Sequence, residues 1–562
     1  MSIEQAYDFF DEGRYDESQS ICVALLECDI NYFPANYLIG NIKSKLGDYD
    51  GAIDFYHRAL SLRPTSEIVL FNLAFVSKEK KDTKRSLYYI NKYININNKD
   101  AEAYVFRSIL RIEISDFHLA LEDLDAALRL DPNSPETLNK KGNCLNRLKR
   151  FDEALASYDK AISIKSDYAE GFYNRGVTLC ELKCFDDALA SYDKAVSLKS
   201  DYAEALYNRG ITLNELKRFD DALVSYERAI SINSDFAEAR YAKAVNLLRK
   251  ESFWEGWLNY EYRFKKLDFI QNSLKFSDQF LNKVNPNICL TDLIGKHLVL
   301  IGEQGVGDVI MFASIAKDAL SLVAALDFIV DERLVKIFKN SFTSSRIFSF
   351  TNYHKKDIPK DAIFMFIGSL PRLFRIKDAD FTKNPYLVPH PEKVANWRAR
   401  FQSVSKKVIG ISWKGGTPIT RDWARSFPLQ TFLTFIPDQN VRFINVQHNS
   451  SIQEVQEAMN IQGFEILSFP DADTSDISDL SALLCALDHV VTVQNSNIHL
   501  CGALNVPCVG IIPSIPEWRY GLRGDKMIWY ESVRLLRMEQ DMDLRNVKPI
   551  VSSYLSQQVE QK

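Results

Sequence analysis

A chain of 562 residues is too long for one hydrophobic core and implies two or three compact units. A formal net charge of −5, with no run of Lys and Arg, excludes a dedicated nucleic-acid binder that tracks phosphates. Nine cysteines, an odd number with no CxxC pair, exclude a zinc knuckle and fit reduced thiols.

The opening residues, MSIEQAYDFFDEGRYDE, are acidic and amphipathic and lack the basic start and apolar core of a signal peptide. Apolar runs stay short of the roughly 20 residues that a bilayer span needs. The expectation is a soluble, cytoplasmic protein.

Three segments are near copies: "FDEALASYDKAISIKSDYAEGFYNRG" from Phe151, "FDDALASYDKAVSLKSDYAEALYNRG" from Phe185 and "FDDALVSYERAISINSDFAEARYAKA" from Phe219. Their period of 34 residues, stepped backward, lands on Phe117, Thr83, Tyr49 and Tyr15, and stepped forward on Phe253. Eight units over residues 1–270 follow. Period and pattern resemble tetratricopeptide repeats, antiparallel helix pairs stacked on one another. Small residues stand where helices must approach: Gly142, Gly176 and Gly210 in the first helix, and Ala154, Ala188 and Ala222 in the second. Tyr158, Tyr192 and Tyr226 fill the space between. In the less regular outer units Ser18, Ser86 and Gly256 take the small position.

Such a superhelix presents a concave face lined mainly by first helices. Asn72, Asn174 and Asn208 share one equivalent position there, and a carboxamide row can hydrogen-bond the backbone of an extended peptide whatever its side chains. These three are the candidate acceptor-binding residues. The alternative is that Asn is simply usual at this site in such repeats, and Leu38, Phe106 and Lys140 interrupt the row.

After "FWEGWLNYEYRF" the rhythm stops, and residues 271–295 read as a linker. From His297, short β-branched runs alternate with helical stretches: "HLVLIG", "LDFIVD", "AIFMFIG", then "KVIGISW", "VRFINVQ", "HVVTVQ" and "PCVGIIP". This alternation predicts parallel sheets covered by helices. A break at "LVPHPEKVANW" divides them into Rossmann-like halves over 296–390 and 391–540, and residues 541–562 read as a final helix. Open parallel sheets bind ligands beyond the carboxyl ends of their strands.

Three motifs lie at such ends: "GEQGVGDVIMFAS", "GISWKGG…RDWARSFPL" and "VTVQNSNIHLCGALNVPCVGIIP…EWRYG". The first is neither the dinucleotide fingerprint nor a P-loop. Together with the layout, the motifs resemble the GT-B glycosyltransferases, most closely the ADP-heptose:lipopolysaccharide heptosyltransferase group found fused to tetratricopeptide repeats in bacteria, and more distantly the protein O-GlcNAc transferases. The resemblance implies an inverting, metal-independent transfer of sugar from a nucleotide-diphosphate donor, a co-substrate rather than a resident cofactor. It puts a carboxylate after a glycine where acceptor meets donor, here Asp308 after Gly307, with Gly305 in the same turn; Asp308 is the candidate base and Glu303 the second candidate. The alternative for Asp308 is a helix cap.

A leaving diphosphate needs cations or helix-terminal amides. The resemblance places a phosphate-contacting lysine at Lys414, after Trp413 and before Gly415 and Gly416. Arg421 and Arg425 add charge nearby. Gln447 ends its strand in a similar cleft-facing place. Relatives read D-T-x-x-x-H where this chain has Gln494, Asn495 and, conserved in type, His499; Asn495, Ser496 and Asn497 form the turn into the helix. His499 is a phosphate partner or a buried packing histidine. Trp518 and Arg519 cover base or sugar, or only pack. The expected acceptor is a protein or peptide held by the repeats. The competing class is a scaffold whose GT-B portion has lost chemistry and binds a nucleotide or a partner protein.

Overall fold

A computed structural model of the chain describes residues 2–266, 284–285, 287–354, 358–402, 407–416, 422–434, 441–448, 450–462, 465–469, 474–539, 549 and 551. Arg421, most of the 271–295 linker and, apart from residues 549 and 551, the expected final helix over 541–562 therefore lie outside the described residues. The chain divides into two compact units, residues 1–216 and 217–562, with the boundary inside the seventh repeat.

The first unit consists of helix pairs. Second helices begin at Tyr15, Tyr49, Thr83, Phe117, Phe151 and Phe185, the positions marked by the 34-residue step. Close packing explains the small residues: a Cβ on Gly40 would stand 2.5 Å from the ring of Tyr56, and one on Gly176 2.8 Å from that of Tyr192. Where Ser takes that place its hydroxyl bonds across the pair, Ser18 to the Ala6 carbonyl at 2.6 Å and Ser86 to that of Ala74 at 2.7 Å. Asp48, Asp82 and Asp116 cap second helices through their carboxylates. First helices end on a left-handed residue that closes a Schellman turn. In the fifth pair this is Lys149, with φ of 60°, and Arg150 N–H reaches the Leu145 carbonyl at 2.9 Å. Gly47, Lys81, Ser115 and Lys183 hold the same conformation in their pairs.

The second unit begins with the helices Phe219–Ile232, Ala237–Arg249 and Phe253–Tyr260 and a 3₁₀ turn over Glu261–Lys265. Two wholly parallel sheets follow. The first holds β1 (His297–Ile301), β2 (Ala325–Val330), β3 (Arg346–Ser349) and β4 (Ile363–Phe366) in the order β3-β2-β1-β4. The second holds β5 (Lys407–Ser412), β6 (Val441–Asn445), β7 (Ile466–Leu467), β8 (His489–Val493), β9 (Cys508–Ile512) and β10 (Val533–Arg537) in the order β10-β9-β8-β5-β6-β7. That is the doubly wound order, and its direction reverses between β5 and β8. The seven strand runs expected from the sequence all form. β3, β7 and β10 lie outside those runs: all three are at sheet edges, and the Val-Arg-Leu-Leu-Arg of β10 mixes charge with apolar residues as edge strands do.

The last repeat shares one hydrophobic core with both sheets. Leu248, Phe253, Trp257 and Tyr260 join Leu300 and Phe312 on one side and Leu500, Trp518 and Trp529 on the other. Trp257 donates its indole N–H to the Arg375 carbonyl at 2.8 Å, and Arg249 donates to that of Pro516 at 3.0 Å. Among the described residues no helix is long and apolar enough to cross a membrane.

Candidate functional site

The turn after β1 leads into the helix Val306–Ala313, whose N-cap is Gly305. Gly305 makes no side-chain cap, and Asp308 sits in the helix's first turn, where a negative charge meets the positive end of the helix dipole. Its carboxylate accepts a hydrogen bond from Arg519 Nε in a close ion pair. Gly307 lets this helix meet the second lobe: a Cβ there would lie 3.3 Å from Ser496 Cα and 3.4 Å from His499 Cδ2. This close approach brings the first and third motifs together.

Glu303, the second candidate for a base, has another role. Its side chain is wholly buried, and Arg263, equally buried, donates to it through Nε at 3.0 Å and Nη2 at 2.8 Å, while Gly368 N–H adds a bond at 3.0 Å. Burial raises its carboxyl above the ordinary value against the pull of Arg263. With both oxygens engaged, Glu303 ties the terminal repeat to the crevice between β1 and β4. Arg263 also bonds the Ser369 hydroxyl at 2.8 Å and Glu261 at 2.7 Å. Beside it, Gln304 stands at φ of 63°, its amide donating to the Tyr260 hydroxyl at 2.6 Å and its carbonyl oxygen accepting from Arg519 Nη2 at 3.3 Å.

In the second lobe the site lies at the switch point between β5 and β8. Gln447 Oε1 accepts three bonds, from the Ser412 hydroxyl at 2.9 Å, Trp413 N–H at 3.0 Å and Lys414 N–H at 2.8 Å, fixing the end of β5. Asn495 caps the helix Ser496–Leu504 by accepting from Asn497 N–H at 2.9 Å, and its amide donates to the Ser412 hydroxyl at 2.8 Å and the Lys414 carbonyl at 3.1 Å. Asn497 in turn holds the Val446 carbonyl at 3.2 Å. Gly415 is needed because a Cβ would meet the Gln494 carbonyl oxygen at 2.6 Å. Ser496 is exposed at the first position of the helix, beside Gly307.

Three donor-side candidates make their recorded contacts within the protein. Trp413 is wholly buried, with its indole N–H donating to Glu454 at 2.9 Å, so it supports the strand end from within the core. Lys414 directs its ammonium to the same Glu454 at 2.6 Å. His499 is buried, its Nε2 3.2 Å from the Tyr520 hydroxyl, and burial drives its pKa down to about 3, with Arg519 adding to the effect. A neutral imidazole packed against Tyr520 and Tyr530 is the packing alternative, not a cationic phosphate partner. Gln494, where relatives carry Asp, is buried too, and its Oε1 has no hydrogen-bond partner among the described residues.

Two arginines belong to one charged network with Asp308. Arg519 bridges Asp308 and Glu517, the latter at 3.6 Å, and Arg425 reaches Glu517 at 3.8 Å. Gly416, at φ of 80°, brings backbone to Arg425: a Cβ there would lie 3.0 Å from Arg425 Nε. Burial opposes charge on Arg519, but Asp308 and then Glu517 outweigh it and hold the guanidinium above its ordinary value. Arg425 is drawn below its ordinary value by burial. Arg519 is carried by the 3₁₀ turn Trp518–Tyr520, which packs on the helix Ala237–Arg249 of the last repeat. The sequence leaves Arg519 between covering base or sugar and packing; only the fold brings it to Asp308, across 211 positions.

In the first unit, the Asn row bonds to the preceding repeat. Asn72 donates to Asn41 at 3.0 Å, Asn174 to Asn139 at 2.9 Å and Asn208 to the Tyr173 hydroxyl at 3.0 Å. All three are half-buried. Part of their capacity thus goes to stacking the repeats.

Comparison with known proteins bears on the repeats. The tetratricopeptide repeat family model matches residues 34–66 and 203–236, and a TPR repeat model matches 142–183. Protein FlbA of Caulobacter vibrioides is 29% identical over 267 residues, which are 44% of this chain and 44% of FlbA. The TPR repeat-containing protein MJ1428 of Methanocaldococcus jannaschii is 26% identical over 24% of each chain. The chain thus spans less than half the length of these curated relatives. Among solved structures, a tetratricopeptide repeat protein from Parabacteroides merdae matches 44% of this chain and 97% of its own, at 19% identity and a TM-score of 0.35. YrrB, described as a TPR protein with an unusual peptide-binding site, matches 34% of this chain and 97% of its own, at 22% identity and a TM-score of 0.29. The chain therefore carries tetratricopeptide repeats in its N-terminal region, followed by an α/β region of parallel sheets.

Proposed function

We propose that the α/β region is a GT-B glycosyltransferase of the heptosyltransferase-like kind, inverting and metal-independent, that moves a sugar from a nucleotide-diphosphate donor to a protein or peptide acceptor presented by the repeats. One observation carries the reading. A carboxylate at a helix start, Asp308, pairs with Arg519, which shares Glu517 with Arg425, beside the N-terminal turn of a second helix at the switch point of a doubly wound sheet. In the proposed reaction Asp308 takes the acceptor hydroxyl's proton as its oxygen bonds to the anomeric carbon. The bond from that carbon to the diphosphate oxygen breaks, and its electron pair leaves with the nucleoside diphosphate. Arg519, Arg425 and the amides around Ser496 stabilise the charge that develops. Tyr241 and Tyr260 of the last repeat, rings 5.6 Å apart, adjoin the turn that carries Asp308, a position suited to guiding an acceptor.

A thermal-shift screen against ADP-, GDP-, UDP- and CMP-sugars, followed by donor hydrolysis, tests the proposal. The expected result is nucleotide release that Asp308→Asn abolishes without weakening donor binding. Absence of turnover with every donor in the wild-type chain, despite binding, would favour a scaffold, the second reading, which the replacement of Asp and Thr by Gln494 and Asn495 supports.

A further inference from the structure

The ion pair that brings Arg519 to Asp308 has a consequence for how the site is used. A carboxylate oxygen that already accepts from a guanidinium, as Asp308 Oδ1 does from Arg519 Nε, has less room and fewer free lone pairs for an incoming hydroxyl. Yet the same guanidinium is one of two cations beside the helix start that suits a diphosphate. Lys414, by contrast, is already paired with Glu454. The acidic partners around Arg519 are Asp308 and Glu517, with Gln304 as a neutral third contact at 3.3 Å. Glu517 is shared with Arg425, so a bound anion would have both guanidiniums within reach of one group.

We propose that Arg519 is an exchangeable latch: it holds Asp308 in the donor-free protein and moves to the donor's diphosphate on binding, freeing the carboxylate only when a donor is present. This rests on the glycosyltransferase reading for the identity of the anion. Two features favour exchange over a permanent pair. Arg519 sits on a short 3₁₀ turn that ends at Gly521, with φ of 61°, so its side chain is carried by a turn and not by a long helix. Gln304, bonded to the Tyr260 hydroxyl, gives the guanidinium a neutral contact that can persist in either position. The latch would bar premature acceptor deprotonation and impose an order, donor before acceptor.

Inorganic pyrophosphate is the probe, measured by calorimetry on the full chain at constant ionic strength. If Asp308 competes with the anion for Arg519, Asp308→Asn should bind pyrophosphate more tightly, by roughly fivefold. Arg519→Gln should bind it about tenfold more weakly or worse. The decisive comparison is the double variant: in the Arg519→Gln background, Asp308→Asn should give little of its gain, since no guanidinium remains to be released. An equal gain in both backgrounds would mean a general electrostatic effect and would overturn the latch. So would unchanged or weaker binding by Asp308→Asn, or unchanged binding by Arg519→Gln. Should Arg519→Gln fail to fold, as its tryptophan emission would reveal, Arg519→Lys takes its place in the same cycle. Failure of the latch with turnover still lost in Asp308→Asn leaves the transferase reading standing; no pyrophosphate binding by any form overturns both.

Discussion

Replacing Arg263 by Met should destabilise the second unit severely, and the structure sets the scale. Arg263 and Glu303 are both wholly buried, and Arg263 makes two bonds to Glu303 and others to Ser369, Glu261 and the Tyr260 carbonyl. In Arg263→Met, Glu303 would keep only the Gly368 N–H as a donor among the described residues. Breaking a buried pair from one side costs about 3–5 kcal/mol, a large share of a typical domain's stability of about 5–15 kcal/mol. Much of that cost comes from the orphaned carboxylate, so removing it as well, in Arg263→Met/Glu303→Leu, should restore stability to within about 2 kcal/mol of wild type. Urea unfolding followed by tryptophan emission reads this unit alone, because all seven tryptophans lie between Trp254 and Trp529 and none in residues 1–216. The sign of the pH effect is also set. Without Arg263, burial leaves the Glu303 carboxyl raised in the folded state, which weakens folding above the unfolded carboxyl pKa, so the loss should shrink as the pH approaches about 4. A single variant that loses less than about 1 kcal/mol, or a double variant no more stable than the single, would refute the account.

Lys149→Gly should raise the urea midpoint of the helical circular-dichroism signal, by roughly 0.5–1 kcal/mol in stability, because Lys149 sits at φ of 60°, where a Cβ is strained; a lowered midpoint would contradict the turn geometry. Gly415→Ala should weaken pyrophosphate binding by at least about tenfold and cost about 1–3 kcal/mol in the tryptophan-detected melt, since its Cβ would lie 2.6 Å from the Gln494 carbonyl oxygen. His499, held neutral down to about 3 by burial among Tyr520 and Tyr530 with Arg519 nearby, cannot follow the unfolded imidazole as that takes up a proton below about 6.5. Stability should therefore fall with pH through that window, by about 2 kcal/mol at pH 5, and His499→Gln should flatten this part of the pH profile; an unchanged slope would remove His499 from the explanation.

The repeats were legible in the sequence because each is built from local contacts that recur at a fixed step. A glycine facing a tyrosine a few turns later, as Gly176 faces Tyr192, leaves the same mark wherever it is repeated. Central strands were legible for a related reason: burial on both faces demands unbroken apolar runs such as "HLVLI". Edge strands carry no such demand, and β10 was missed. At the candidate site, backbone-shaping residues could be read, since Gly307, Gly415 and Asn495 lie where a turn needs a close approach or a cap. What could not be read was pairing over long separations. Neither the 40 positions between Arg263 and Glu303 nor the 211 between Asp308 and Arg519 has a periodicity to expose it. Lys414 and Glu303 are read from the turns that carry them, and nothing in those turns points to the partners Glu454 and Arg263.

Why a wholly buried ion pair should stand at the join between the last repeat and the sheet follows from what such pairs do well. They add little net stability over an apolar pair, but they penalise every arrangement in which the partners fail to meet. Arg263 can satisfy Glu303, Ser369 and Glu261 together only if the 3₁₀ turn, the end of β1 and the end of β4 are all in register. The residue after Glu303 is Gln304, whose two amide atoms reach Tyr260 on one side and Arg519 on the other, and Arg519 reaches Asp308. The buried pair therefore fixes the base of a polar chain whose far end is the candidate catalytic carboxylate. Rigidity at Glu303 and exchange at Arg519 are complementary: a latch can open without losing its place only if the turn behind it does not move.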